Sequence, residues 1–482
     1  MTVIKKLALR SFLILTACFL AVMMQGQSFA DLISRLNALP AANRQAVADS
    51  FMNSGHSIPF IENDTLVHFV YNAPAVAVSV AGDATGWNPD KYMTHVNGCN
   101  FHYYTTSYES DARLDYKLVI DSANWILDPK NPNTCFGGYG QNSELRMPGY
   151  TVPPEISYYS TLQHGTLRDT TFHSVTLGNS RLVRVYLPPG YPSESTSYPV
   201  ILFHDGIDYI NLCNTPNILD YLISQHLISP VIGVFVPPVD RTAEYAGGKI
   251  DLFTSFIVNE LMPVIDTRYK TSREPSKRAV AGASDGGNIS LYIGMKHPEQ
   301  FGKICAQSSD VQSVISSTFS TGPKLNLSLY IDIGTYDIGV LIPMVHGLRD
   351  ILQSKGYDFQ YREWHEGHSW GNWKGHLRIP LMQFFPYASG LNETPPADIR
   401  LGPNKPNPFR GQTTIPFFAP AGSDIELSLF DMKGVKIETL FSGIVNSEVN
   451  SIKYRHHKPS GQFIVTLSEG RTTRRSIIIN AL

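Results

Sequence analysis

Ser284 stands between glycines in Val280-Ala281-Gly282-Ala283-Ser284-Asp285-Gly286-Gly287. A mostly apolar run from Arg278 to Ala281 enters this stretch, and an amphipathic run from Asn288 to Lys296 leaves it. Strand, sharp turn and helix with serine at the apex is the arrangement that exposes a nucleophilic hydroxyl at a sheet's carboxyl edge. Gly282 and Gly286 withhold side chains that would collide across so tight a turn. The helix start offers unpaired N–H groups and a positive dipole end, which favour a developing oxyanion. The same pattern also occurs in ordinary glycine-rich turns, so its partners decide the reading.

A serine hydroxyl needs a base to take its proton and a carboxylate to orient that base. The apolar run Leu325 to Ile333 reads as a buried strand opening into Gly334-Thr335-Tyr336-Asp337. Asp337 lies past the strand's end and is the expected acid; Asp332, within the strand, is its competitor and reads as a structural carboxylate. A helix should follow, with Val340, Met344, Leu348 and Leu352 on its apolar face. The next strand, Tyr357 to Trp364, leads into His365-Glu366-Gly367-His368-Ser369-Trp370-Gly371-Asn372-Trp373. His368 is the expected base and His365 a loop or surface histidine. His-Glu-Gly-His falls in a loop without a further Cys or His cluster, so no metal site is expected.

Two backbone donors are needed for the oxyanion. One is expected at Asp285, the residue after the serine. The other should come from the loop after the strand Tyr198 to Phe203, at Gly206 or Ile207; the sequence does not choose between them. Arg241, Glu244 and Tyr245 follow the strand Val231 to Val236 at the same sheet edge and are candidates for holding a polar substrate, against a structural Arg–Glu pair. Trp370, beside His368, completes the candidate substrate contacts.

The region from about Arg181 to Phe385 resembles the esterase D, enterochelin-esterase and feruloyl-esterase branch of the α/β-hydrolases. The resemblance rests on Val185-Tyr186-Leu187-Pro188-Pro189-Gly190-Tyr191 and on Asn259-Glu260-Leu261-Met262-Pro263-Val264-Ile265-Asp266. It continues through the Gly282-to-Gly287 stretch, Lys296-His297-Pro298-Glu299-Gln300-Phe301-Gly302, Gln307-Ser308, and Gly367-His368-Ser369-Trp370-Gly371-Asn372-Trp373. It implies that Ser284, Asp337 and His368 are nucleophile, acid and base, in the chain order of that fold, with no cofactor. Asp285 departs from the family, whose members often have an apolar residue there; its carboxylate brings negative charge near the oxyanion.

At 482 residues the chain is long enough for roughly two or three domains. A net charge of −2 gives no reason to expect nucleic acid or an anionic membrane as partner. Lys5, Lys6 and Arg10 precede an apolar run from Phe12 to Met24 and then Ser28-Phe29-Ala30. This reads as a secretory signal over residues 1–30 cut after Ala30; the lipoprotein-like Leu15-Thr16-Ala17-Cys18 is followed by apolar residues and is the lesser reading. After signal removal no run is long enough to span a bilayer. Cys99 and Cys135 are candidates for a disulfide after export, whereas Cys213 and Cys305 look like buried thiols.

Residues 31–155 are expected to form a short helical preface (Leu32, Ile33, Leu36, Leu39, Val47, Phe51) and a β-sandwich. Val80-Ala81-Gly82-Asp83-Ala84-Thr85-Gly86-Trp87 and Trp125-Ile126-Leu127-Asp128-Pro129 resemble the early-set sandwich related to glycogen-binding modules, which in that resemblance would make Trp87 and Trp125 sugar-stacking or interface residues. The α/β-hydrolase domain, a mainly parallel sheet between helices, is expected over 160–388, and a polar linker over 389–402. Residues 403–482, with Pro403-Asn404-Lys405-Pro406-Asn407-Pro408-Phe409 and the Asp431-Met432-Lys433-Gly434 turn, resemble the immunoglobulin-like sorting domain of type IX secretion, which implies secretion machinery as a partner; an accessory carbohydrate or stalk module is the alternative.

Together these features lead to an exported serine esterase acting on feruloyl or acetyl esters of plant polysaccharide. The alternatives are a siderophore trilactone esterase, an aryl or polyester hydrolase, and a non-catalytic surface protein that binds carbohydrate.

Overall fold

The runs Val200–His204 and Ile232–Val236 are buried at every position, as the inner strands of a parallel sheet covered on both faces must be. In this computed structural model, which describes residues 28–192 and 197–387 and most of 400–481, they lie side by side within one sheet. The sheet runs Thr166–Ser174, Asn179–Leu187, Ile232–Val236, Val200–His204, Arg278–Ala283, Lys303–Gln307, Ser328–Tyr336, Asp358–Gly367. Its first two strands are antiparallel to their neighbours and the rest pair in parallel.

The two-residue period of a strand sorts side chains to two cores. Val200, Leu202 and Val280 face one buried cluster with Phe253, Phe256 and Ile289. Ile201, Phe203, Ala279 and Ala281 face the other, with Tyr209, Ile218 and Trp370. The helix Leu341–Ser354 buries Leu341, Val345, Leu348 and Leu352. Val340 and Met344, expected on that face, are 60% and 37% exposed; the buried stripe is rotated by about one residue.

The N-terminal region begins with helices Phe29–Ala38 and Ala41–Met52. Ser28 caps the first, and Phe29, only 3% exposed, stacks on His68 at 4.0 Å between ring centroids. A cut after Ala30 would therefore remove the cap and a core side chain of this helix. Two sheets follow and share a core of Val67, Phe69, Val78, Val80, Tyr116 and Leu118. One contains Leu66–Asn72 and Phe101–Ser107; the other contains Val78–Gly82, Arg113–Ile120 and Gly140–Arg146.

That second sheet is not separate from the mainly parallel sheet. The strand Arg113–Ile120 pairs in parallel with Asp358–Gly367 at Arg113 and Glu366, so the sheet runs on without a break. The described residues up to 387 belong to one compact unit. Cys99, Cys135, Cys213 and Cys305 are all buried free thiols. The pairing of Cys99 with Cys135 is not formed: Cys99 lies in the core beneath the first helices, while Cys135 Sγ meets Lys374 Nζ at 3.5 Å.

The second unit spans residues 389–482. Gln412–Phe418 pairs with Val449–Arg455 in one sheet, and Asp424–Asp431 lies between Lys436–Ile444 and Gly461–Glu469 in the other. Ile415 and Phe417 from the first pack with Leu427, Leu429, Val465 and Leu467 from the second. The segments 1–27, most of the expected linker, and residues 432–434 of the expected turn lie outside the described residues.

Candidate active site

The strand Arg278–Ala283 delivers Ser284 to the start of the helix Asp285–Lys296 at φ 58°, ψ −127°, a region that a residue other than glycine adopts only when its surroundings hold it there. A Cβ on Gly282 would come within 2.1 Å of Gly286 O, and one on Gly286 within 2.9 Å of Asp205 Oδ2. The glycines thus let the turn close on itself and on the neighbouring loop. Ser284 N–H donates to Gln307 O at 2.9 Å, and Ser284 O accepts from Gly287 and Asn288.

His368 follows the strand Asp358–Gly367, and its Nδ1 lies 2.7 Å from Asp337 Oδ1. Asp337 follows the adjacent strand, Ser328–Tyr336, and its side chain is fully shielded from solvent. The same oxygen accepts Ile338 N–H at 2.7 Å. A carboxylate there accepts a hydrogen bond from Nδ1–H, which leaves Nε2 as the basic nitrogen. The imidazole is packed edge-on against Trp373 at 5.0 Å. Ser284 Oγ makes no hydrogen bond to His368 in this structure; in hydrolases without substrate that bond is commonly long and tightens in the reacting complex.

Asp205 adopts the left-handed conformation at φ 51° and turns the chain from Val200–His204 into the short helix Gly206–Asn211. Gly206 and Ile207 open one helix and Asp285 and Gly286 another, so their N–H groups have no partner within the helix. Gly206 has no room for a side chain, since a Cβ would meet Val236 N at 2.3 Å. Two helix starts, the second at Ser284, are therefore brought together.

Residues 174–379 match the family described as a putative esterase. An endo-1,4-beta-xylanase/feruloyl esterase of Xylanibacter ruminicola is 29% identical over 202 residues, 39% of this chain and 27% of that protein. An iron(III) enterobactin esterase of Escherichia coli O6:H1 is 25% identical over 291 residues, 57% of this chain and 70% of that one. The chain is a carboxylic ester hydrolase, similar to that family over residues 174–379. The crystal structure of the enterobactin esterase from Shigella flexneri in the presence of enterobactin shares the fold over 70% of this chain and 97% of its own, with a TM-score of 0.59 and 22% identity.

Around this site Glu244, Tyr245 and Trp370 are more enclosed than a substrate-contact role implies, whereas Asp332 and His365 stand as a structural carboxylate and a surface histidine. Glu244 is fully buried and pairs through both oxygens with Arg181, at 2.9 and 3.0 Å. Tyr245 is also fully buried, its hydroxyl accepting Asp205 N–H at 2.9 Å. Both fall on the inner side of the short helix Arg241–Tyr245, so neither is available to substrate. Trp370 is 7% exposed and packs against Tyr209 and Trp373 within a buried apolar cluster. Asp332 accepts Ser308 N–H and the Tyr330 hydroxyl; burial pushes its carboxyl up to about 6. His365 pairs with Asp111 at the surface.

Arg241 alone of that group reaches the surface beside the serine. It donates to both oxygens of Asp205, to Asp285 Oδ2 and to Ala283 O. The charge on Asp285, which the sequence leaves uncompensated, thus has a cationic partner. Burial still raises the carboxyls of Asp205, Asp208 and Asp310 above the ordinary range. Among the described residues no group of three or more His, Cys, Asp or Glu side chains is placed to hold a metal, and no helix is long and apolar enough to cross a membrane.

Sequence reasoning missed Asp205, Arg181, Asp83 and Arg113 as organisers of this region. The only hint was the glycine on each side of the His368 segment, at Gly367 and Gly371.

Proposed function

We propose that the esterase hydrolyses its substrates through Ser284, His368 and Asp337. Ser284 Oγ attacks the ester carbonyl as His368 Nε2 takes its proton, and Asp337 steadies the resulting imidazolium. The tetrahedral oxyanion is received by the N–H of Asp285 and by that of Gly206 or Ile207. His368 returns the proton to the departing alcohol, and a water activated by the same nitrogen then releases the acid and frees Ser284. The observation that supports this best is the 2.7 Å contact of His368 Nδ1 with Asp337 Oδ1, beside a serine at a strained strand-to-helix turn.

We propose a neutral ester as substrate, with feruloyl or acetyl groups on plant polysaccharide the preferred class. Asp205 and Asp285 pair with the guanidinium of Arg241, and the carboxylates of Asp208 and Asp310 lie within electrostatic reach of Arg241 and of Asp285 respectively. A field of that sign disfavours an anionic substrate such as an iron(III)–siderophore complex. A siderophore trilactone is the second reading, favoured by a similarity to an enterobactin esterase that extends over 291 residues. We further propose that the chain is exported and that residues 403–482 engage secretion machinery. Rates on methyl ferulate, acetylated xylan and enterobactin test the substrate reading; a kcat/KM on enterobactin far above the other two reverses it.

A further inference from the structure

The N-terminal region reaches into the segment that carries His368 from both of its ends. A Cβ on Gly367 would lie 2.1 Å from Asp83 Cγ, and one on Gly371 would lie 2.0 Å from Arg113 Cζ. Side chains from the N-terminal sheets therefore rest directly on the backbone before and after the histidine. Arg113 is completely buried, and its Nη1 donates to Ser369 Oγ at 3.0 Å. Its other donors are fixed by Asp115 Oδ1 and Glu144 Oε1, each at 2.5 Å, and Glu366 stands 3.9 Å away. Asp83 is fixed in turn by Trp87 Nε1 at 3.2 Å and Asp115 N–H at 2.8 Å.

A buried guanidinium surrounded by carboxylates keeps one orientation, because turning it would strand several buried charges at once. The segment it touches begins at the strand pairing of Glu366 with Arg113 and ends in the helix Trp370–His376. We infer that Arg113, with Asp83 behind Gly367, is a positioning residue: it fixes the backbone of residues 367–371 so that the His368 imidazole is held between Asp337 and Ser284. The N-terminal region thereby becomes part of the catalytic apparatus without touching substrate. This rests on the reading of His368 as the general base.

The test compares the full chain as wild type, Arg113→Met, Ser369→Ala and Ser369→Thr, with Ser284→Ala as a control on the catalytic reading. Ser369 Oγ also accepts Asn372 N–H at 3.4 Å, so Arg113→Met isolates the guanidinium contact from the helix cap. With p-nitrophenyl acetate as probe, Arg113→Met and Ser369→Ala should lower kcat by about 10- to 100-fold with KM little changed, the effect of a base displaced by about 1 Å. Ser369→Thr keeps the accepting hydroxyl and should restore most of the loss.

Proton NMR reads the imidazole independently of turnover. The downfield Nδ1–H resonance of His368, assigned by its loss in Asp337→Asn, should move or broaden in Arg113→Met and Ser369→Ala and stay in place in Ser369→Thr. An unmoved resonance, or an unchanged kcat, in variants with native near-ultraviolet circular dichroism overturns the inference. Should Arg113→Met fail to fold, the two Ser369 variants decide it. Full activity in Ser284→Ala would instead overturn the catalytic reading, and the resonance alone would then judge whether Arg113 sets the imidazole.

Discussion

Arg241 ties Asp205 to Asp285: its Nε and Nη2 grip both oxygens of the first at 2.9 and 3.0 Å, and its Nη1 meets the second at 2.8 Å. Asp205 immediately precedes Gly206, and Asp285 immediately follows Ser284. One side chain therefore joins the two helix starts that carry the proposed oxyanion donors, and pairs with the carboxylate beside the serine. Arg241→Ala should lower kcat for a small neutral ester by roughly 100-fold, comparable to losing an oxyanion donor. Arg241→Lys should recover little, because an ammonium cannot hold two carboxylates in the plane of a fork. Steady-state kinetics on the three proteins check this; equal kcat in all would remove Arg241 from the account.

Asp337→Asn should cost on the order of 10⁴ in kcat, since the amide favours the wrong imidazole tautomer. Asp332→Asn should leave kcat within a fewfold and act mainly on stability, because Asp332 bonds Ser308 and Tyr330 and not His368. The reverse ranking would place the acid on the preceding strand.

His204 is fully buried among Tyr245 and Phe253, and neither ring nitrogen has a partner. Burial pushes its pKa down to about 3. A base whose pKa is lowered by folding keeps its full stability above its ordinary value of 6.5 and loses it as the pH falls toward the folded value. His204→Leu carries no such group, so its stability relative to wild type should rise by about 3 kcal/mol between pH 7 and pH 4. Urea denaturation at the two pH values measures this; a pH-independent difference would mean that His204 is solvated or paired.

A chain ending near Tyr387 should keep kcat/KM on p-nitrophenyl acetate, because Ser284, His368, Asp337 and the free N–H donors all lie in the unit up to residue 388. A large loss in well-folded truncated enzyme would show that the second unit helps build the site.

The serine turn was legible in the sequence because its determinants are local: Gly282, Ser284 and Gly286 answer one another within a single turn. Chain order and strand ends likewise separated Asp337 from Asp332. What stayed hidden depends on pairing at a distance. Arg113 and Ser369 are 256 positions apart, and nothing in either neighbourhood marks them as partners. Glu244 and Tyr245 were left open between substrate and structural roles for a different reason: a short helix after the strand turns them into the core and leaves Arg241 outside. The early strand pairing of Arg113 with Glu366 was equally invisible, since any exposed edge offers the same backbone groups.

That seam decides how the molecule can be recombined. A graft that replaces residues 28–155 with another binding module, keeping the hydrolase intact, takes away Arg113 and Asp83 and uncovers the backbone edge at Glu366. The workable breakpoint for building chimaeras lies at 388/389, where the chain passes between its two units; upstream of it, the front sheets and the hydrolase must be inherited together.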